Sequence, residues 1–154
     1  MTASHEGDCF AYLGDPYSEE RSRRGIEMDE KRMYELAKKL LSAWNSQDVD
    51  HVVARYTEDV VYVDPNTHGE VKGAKALRKY LGKLFSGWRM TWDLKEAYLF
   101  ENHSGCAVMW HASLRRTDGE RTVEVDGMDL VITEGDLVKR NEVYFDRAVI
   151  ASLM

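Results

Sequence analysis

The second half of the chain consists of long segments of strand-forming residues separated by short turns. The segments cover about residues 89–101, 105–117, 121–133 and 137–147. Asp118-Gly119 separates two segments of alternating polarity and is the strongest hairpin signal in the chain. Four such segments in succession predict an antiparallel meander, which requires an apolar layer to cover one face of the sheet.

Helices are predicted before these strands. Apolar residues recur at i, i+3 and i+4 over 33–44, and Asp29 is a competent N-cap for this helix. Asp48 is expected to cap a short second helix, and a third helix contains the apolar positions of 77–85. Helices followed by long antiparallel strands predict an α+β fold in which a curved sheet wraps over the helices.

The length of 154 residues suits one ordinary domain. Residues 1–28 contain the charged run EERSRR and little hydrophobic periodicity. We therefore interpret residues 1–28 as an N-terminal extension that the core fold does not need. The folded domain is assigned to residues 29–154.

Composition limits the partners and the compartment. Lys and Arg number 21 against 27 Asp and Glu, and the net charge of −6 argues against nucleic acid and anionic membrane as partners. No segment resembles a signal peptide or a membrane span. The two cysteines, Cys9 and Cys106, cannot build a disulfide framework. A soluble cytoplasmic protein is the simplest interpretation.

Several short motifs of this order of elements resemble one superfamily. Tyr56, Asp64-Pro65, Gly73 at the start of a helix and Val143-Tyr144-Phe145-Asp146 carry the resemblance, which covers about residues 30–150. They are similar to the nuclear-transport-factor-2-like (NTF2-like) superfamily, in particular its ketosteroid-isomerase and SnoaL-like polyketide-cyclase branches. The resemblance implies a cystatin-like conical α+β barrel, with three N-terminal helices packed in a curved antiparallel sheet, and frequent homodimerisation. It implies less about the reaction, because such folds host many functions.

Two aspartates match catalytic positions of the isomerases. Asp64 follows a predicted strand, Val60 to Val63, and matches the carboxylate that shuttles a proton between carbons of an enolisable ketone. The alternative role for Asp64 is to cap the turn before Pro65. Asp129 matches the acid that stays protonated and donates a hydrogen bond to the oxyanion. We expect both carboxyls to line one pocket, with Asp64 ionised and Asp129 neutral.

His111 is the third catalytic candidate. A two-residue Asp118-Gly119 turn pairs position 111 with position 126 and places Asp129 on the opposite face of the sheet. A β-bulge at Asp126-Gly127 would bring His111 and Asp129 to a common face as an acid/base pair. The alternative is a single satisfied histidine in the sheet.

The pocket of a cone-shaped fold shares its lining with the core. The expected substrate-binding residues are Trp44, Tyr56, Tyr80, Met109 and Phe145. The family's oxyanion tyrosine on the first helix is replaced by Leu40, which weakens the case for steroid isomerisation. Limonene-epoxide-hydrolase relatives need an Arg-x-Asp, where this chain has Gly127-x-Asp129.

These observations predict a cofactor-independent enzyme that uses aspartate acid/base chemistry on a small hydrophobic carbonyl compound, as an isomerase, cyclase or dehydratase does. No motif calls for a nucleotide, a metal or another cofactor. The alternative is a non-catalytic module for ligand binding or dimerisation.

A homodimer is also expected. If His111 faces the cone, then the apolar row on the same strand faces outward and needs to be covered. That row consists of Val108, Trp110, Ala112 and Leu114.

Overall fold

A computed structural model describes residues 28–153 of the protein. The elements are α1 (Glu30–Ser46), α2 (Val49–Val53), β1 (Tyr56–Val63), β2 (Val71–Lys72), α3 (Ala74–Gly87), β3 (Trp88–Leu99), β4 (Gly105–Arg116), β5 (Thr122–Glu134), β6 (Leu137–Phe145) and α4 (Ala148–Ala151). The predicted α+β order is confirmed. The predicted extension lies outside the described residues except for Met28, which is buried and accepts a hydrogen bond from His103 Nδ1 at 2.8 Å.

All six strands form one sheet in the order β2-β1-β6-β5-β4-β3. The strands pair antiparallel except β1 and β6, which run parallel. Register shifts interrupt β3 between Leu94 and Glu96 and β5 between Ile132 and Thr133, and irregularities of this kind bend a sheet. The sheet is therefore curved. It does not close into a barrel, because β2 and β3 remain at its two edges.

Polar side chains fix the ends of α1. Asp29 accepts a hydrogen bond from the Arg32 backbone N–H at 2.8 Å and so acts as the predicted N-cap. At the other end, Asn45 donates to the Trp92 carbonyl at 2.9 Å and accepts from the Trp92 N–H at 2.7 Å. Asn45 thereby attaches the end of α1 to the edge strand β3. Asp48 caps α2 in the predicted way.

The register of β4 against β5 decides which side chains face the helices. Position 111 pairs with 126, as the turn at Asp118-Gly119 predicts, and no bulge follows at 126–127. Asp129 therefore shares the concave face with Val108, and His111 lies on the convex face. Of the two alternatives for His111, the one that needs a bulge and a common face with Asp129 is therefore wrong.

The apolar row of β4 faces the core. Val108, Trp110, Ala112 and Leu114 are buried, the most exposed of them by only 7%, so the prediction that this row faces outward is wrong. Burial of four apolar side chains under α1 and α3 is favourable, and burial of a histidine between two carboxylates is not.

No helix within residues 28–153 is long and apolar enough to span a membrane.

Candidate functional site

The concave face of the sheet, together with α1 and α3, surrounds a cavity of about 730 Å³. This volume lies in the range of pockets that bind small organic molecules. The wall contains a cluster of aromatic rings. The rings are contributed by Trp44, Tyr62, Tyr80, Trp88, Trp92, Trp110 and Phe145.

Asp64 lies on the cavity wall directly after β1 and is 7% exposed. Its Oδ1 accepts hydrogen bonds from the backbone N–H groups of Asn66 at 2.7 Å and Thr67 at 3.0 Å. Its Oδ2 accepts from the Tyr62 hydroxyl at 2.9 Å and from the Tyr80 hydroxyl. One oxygen thus holds the turn, and the other lies among the aromatic rings of the cavity.

Two tyrosines keep their protons beside this carboxyl. Burial, and then the charge of Asp64, raise the pKa of Tyr62 well above its ordinary value. The same two causes raise the pKa of Tyr80. The sequence interpretation missed Tyr62, although it stands two residues before Asp64 on one strand and alternation places both side chains on one face.

Asp129 lies on the concave face of β5 and is 7% exposed. Its Oδ1 accepts a hydrogen bond from the Trp110 indole N–H at 2.8 Å. Burial raises the pKa of Asp129 to about 6, the Trp110 and Asn141 side chains oppose this shift, and the charge of Asp64 adds to it. Asp129 therefore carries a proton for part of the time near neutral pH.

A chain of directed hydrogen bonds lies behind the cavity wall. The Trp44 indole donates to the Tyr56 hydroxyl at 3.0 Å, and Tyr56 donates to Asn141 Oδ1 at 2.9 Å. Because an indole N–H can only donate, the single tyrosine proton points to Asn141. The Asn141 amide nitrogen is then directed away from Tyr56, and no side chain or backbone group among residues 28–153 lies within hydrogen-bond geometry of it. Asp129 is the diagonal neighbour of Asn141 across β5 and β6, and the Asn141 amide lowers the pKa of its carboxyl.

The sequence interpretation also missed Asn141, which is fully buried. The alternation of β6 could have identified Asn141, because positions 141, 143 and 145 occupy one face of the strand. Val143 and Phe145 line the cavity on that face. A polar residue at the third position indicates a specific hydrogen-bonded contact in the interior.

The structure brings part of the predicted site together. Four predicted residues line the cavity: Trp44, Asp64, Tyr80 and Phe145. Two more, Tyr56 and Asp129, are buried directly behind the wall, where they contact the lining residues Trp44 and Trp110. The remaining two, Met109 and His111, alternate with the buried positions of β4 and face away from the cavity.

His111 belongs to an ion cluster on the convex face. Its Nδ1 lies 2.8 Å from Asp126 Oδ1, and its Nε2 lies 3.0 Å from Glu124 Oε2. The hydrogen bond to Asp126 is the main cause that raises the pKa of His111. Lys95 contacts Asp126 as well, at 3.1 Å. The prediction of a His111–Asp129 acid/base pair is therefore wrong.

Metal-ligating side chains do not cluster in the described part of the chain. Among residues 28–153 no three His, Cys, Asp or Glu side chains are placed to hold a metal ion. Cys106 is buried on the concave side, and burial raises the pKa of its thiol to about 11. At neutral pH this thiol is protonated and is a poor nucleophile.

A family model described as the SnoaL-like domain matches residues 37–141. SalBIII, an epoxide hydrolase/cyclase-like enzyme with a role in pyran ring formation in the polyether salinomycin, is 19% identical, with a TM-score of 0.69 over 79% of this chain and 95% of that one. A putative polyketide cyclase from Pseudomonas putida is 16% identical, with a TM-score of 0.68 over 77% of this chain and 94% of that one.

A protein from Catenulispora acidiphila with a ketosteroid isomerase-like fold is 13% identical. Its TM-score is 0.70 over 77% of this chain and 90% of that one. No curated protein matches the chain. At these identities the structural likeness shows the fold alone.

Proposed function

The chain belongs to the SnoaL-like domain family and has the NTF2-like fold, and from this premise we propose that it is a cofactor-independent enzyme that moves protons on a small hydrophobic carbonyl compound. The observation that carries the proposal is the position of Asp64. A buried carboxylate has one oxygen in an aromatic cavity, between two hydroxyl donors. This arrangement suits a general base that acts next to a polarised carbonyl group.

Cyclisation is the first possible reaction of such a base. The Pseudomonas putida protein that shares the fold is a putative polyketide cyclase. Isomerisation is the second possibility, because ketosteroid isomerase-like proteins share the fold. In the proposal, both reactions begin with the same step, removal of a proton from a carbon next to a carbonyl group.

In the proposed reaction, Asp64 Oδ2 takes that proton, and the C–H electron pair moves to the carbonyl oxygen to form an enolate. Protonation of Asp64 releases the hydroxyls of Tyr62 and Tyr80, which then donate to the enolate oxygen. In a cyclase, the enolate carbon attacks a second carbonyl group of the same molecule, and the resulting alkoxide takes the proton back from Asp64. In an isomerase, the proton returns to a different carbon. Either way the enzyme ends in its starting state.

Asp129 has an indirect part in this proposal. It does not itself line the cavity, so the expected direct hydrogen bond to an oxyanion is replaced by a role through Trp110. The Asp129 carboxyl accepts the hydrogen bond of the Trp110 indole and so holds its ring in place. This ring packs on the Gly127 backbone and forms part of the cavity wall. We therefore propose Asp129 as a positioning residue.

Hydrogen–deuterium exchange tests the proton transfer without knowledge of the natural substrate. We expect the protein to accelerate exchange of the α-hydrogens of 2-tetralone, a two-ring ketone, in D₂O, as followed by proton NMR. Asp64→Asn should reduce the accelerated rate by about 10²-fold or more, the usual contribution of a general base. Asp59→Asn is the matched control, because Asp59 is an exposed aspartate of the same strand. Equal exchange rates for the two variants would contradict the proposal.

A ligand-binding module is the second candidate, and one observation favours it. Both oxygens of Asp64 already accept two hydrogen bonds each, so the carboxylate is fully satisfied without a substrate. Saturable binding of 2-tetralone with no acceleration of exchange would establish this function instead.

We also propose a homodimer that forms through the convex face of the sheet. The apolar side chains there are different from those the sequence suggested: Met109, Met128 and Leu130 are partly exposed at the centre of the face. Tyr98 and Tyr144 are 56% and 50% exposed. A partner copy would remove this apolar surface from water.

A further inference from the structure

Five charged residues line the cavity, and most are neutralised or satisfied by neighbours. Asp64 accepts four hydrogen bonds. Glu70 lies 2.9 Å from Lys72 Nζ. Arg116 donates to both carboxylate oxygens of Asp118, at 2.7 and 2.8 Å, and its guanidinium lies 5.8 Å from the centre of the Trp88 ring. Each of these three groups therefore already has a partner within the protein.

The other two are cations without a counterion among residues 28–153. Lys83 is on α3 and Arg147 lies between β6 and α4, so they reach the same cavity from two different elements. In this part of the chain no carboxylate lies within 4.0 Å of either side chain. Two such cations at a cavity stand out in a chain whose net charge is −6.

The charges at the cavity can be compared directly. Asp64 and Glu70 contribute two negative charges, and Lys72 and Asp118 neutralise Glu70 and Arg116. Lys83 and Arg147 then outweigh Asp64, whose negative charge is not neutralised, and leave the exposed part of the wall positive. Such a field attracts an anion and disfavours a cation. Both side chains are exposed, so the attraction is expected to depend on salt.

We infer that the ligand of this cavity is a hydrophobic organic acid, whose carboxylate is bound by Lys83 and Arg147 while its apolar body lies among the aromatic rings. The inference rests on the proposed function and narrows its substrate class. A carboxylate suits these residues because ammonium and guanidinium groups both form charge-assisted hydrogen bonds with it. The aromatic wall accounts for the apolar body, and Asp64 lies on the same wall to act on the carbonyl group.

A matched pair of probes isolates the charge. Anthracene-2-carboxylate and anthracene-2-carboxamide share one ring system and differ in the charge of one substituent. Binding is followed by the fluorescence anisotropy of the probe at low and at high salt. We expect the carboxylate to bind at least tenfold more tightly at low salt, and the preference to shrink at high salt.

The variants test which residues supply the preference. The double variant Lys83→Gln/Arg147→Gln should lose the preference and bind the carboxamide within about twofold of the wild-type affinity. Lys79→Gln/Arg121→Gln is the matched control, because Lys79 is one turn earlier on α3, Arg121 is an exposed arginine, and neither lines the cavity. The control should keep the tenfold preference.

The possible failures are distinguishable. Equal affinity of the wild type for both probes, or an equal loss in the control variant, would overturn the inference. If the inference is overturned in this way but the carboxamide binds and 2-tetralone still exchanges in the same preparation, the proposed proton-transfer function is unaffected. If neither probe binds, the inference fails together with the proposed role of the cavity.

Discussion

The buried polar side chains on the concave face are held by aromatic donors. Asp64 accepts from two tyrosines, Asp129 accepts from Trp110, and Asn141 accepts from Tyr56. In the described part of the chain neither Asp64 nor Asp129 forms an ion pair. An aromatic residue with a polar tip satisfies a buried acid while its apolar body keeps the surroundings dry. Neither acid is thus neutralised by a cation, as the proposed proton transfer at Asp64 requires.

Asp129 should make the stability of the protein depend on pH. The folded protein holds this proton up to about pH 6, whereas an unfolded aspartate has a pKa of about 3.9. The native state therefore binds more protons in this window, and stability falls as the pH rises. We expect wild type to lose about 2 kcal/mol of unfolding free energy relative to Asp129→Asn between pH 4 and pH 7. Urea denaturation at several pH values measures the difference.

Asp126→Asn is the control on the opposite face. His111 and Lys95 hold the pKa of Asp126 below its ordinary value, so this variant should not reproduce the effect. Parallel stability curves for wild type and Asp129→Asn would show that burial does not raise the pKa of Asp129.

At the scale of elements, the β4–β5 hairpin fixes the position of Trp110 in the cavity wall. Its register places Gly127 opposite Trp110 on the concave face. A Cβ at position 127 would collide with the six-membered part of the Trp110 ring. Glycine is therefore required for the indole to lie across β5 and reach the Asp129 carboxyl.

Gly127→Ala should destabilise the protein by about 2 kcal/mol, the usual cost of overpacking a core. It should also weaken binding of anthracene-2-carboxamide, because the displaced indole forms part of the cavity wall. Gly82→Ala is the control: it stands in α3, nothing lies within 4 Å of its added Cβ, and helix propensity predicts a gain of up to about 1 kcal/mol. Thermal and urea denaturation measure both, and a neutral Gly127→Ala would contradict the packing argument.

For the whole molecule, the two faces of the sheet have separate tasks. The concave face packs on α1 and α3 and forms the cavity, and the convex face carries the His111 ion cluster beside the partly exposed Met109 and Met128. Which face of each strand is buried therefore determines which side chains reach the cavity and which lie in the proposed dimer interface. The structure reverses the predicted assignment for β4, because burial of the apolar row is favourable and burial of His111 with its two carboxylates is not.

The homodimer is expected to give twice the 17.7 kDa mass of one chain in light scattering at micromolar concentration. Met128→Lys should shift the mass towards the monomer, because a lysine there places a charge at the centre of the apolar surface. Thr122→Lys, at the exposed start of the same strand, should leave the mass unchanged. A wild-type mass of 17.7 kDa across this range would rule out the dimer.

Local signals in the sequence determined much of the fold. Asp29 and Asp48 cap their helices because a short acidic side chain satisfies the first free N–H groups, an interaction within one turn. The pairing of position 111 with 126 follows from a two-residue turn and strand periodicity. The positions of Asp64 after a strand and of Trp44 and Tyr80 on helices have the same local origin.

Only the tertiary structure decided how these elements combine. The parallel pairing of β1 with β6 joins segments about eighty residues apart, and no local pattern encodes such a contact. The chain of Trp44, Tyr56 and Asn141 connects α1, β1 and β6, so its hydrogen bonds exist only after all three have packed. Alternation divides a strand into two faces, but burial against the helices selects the inner one. For that reason Asp129 is enclosed while His111 remains in water.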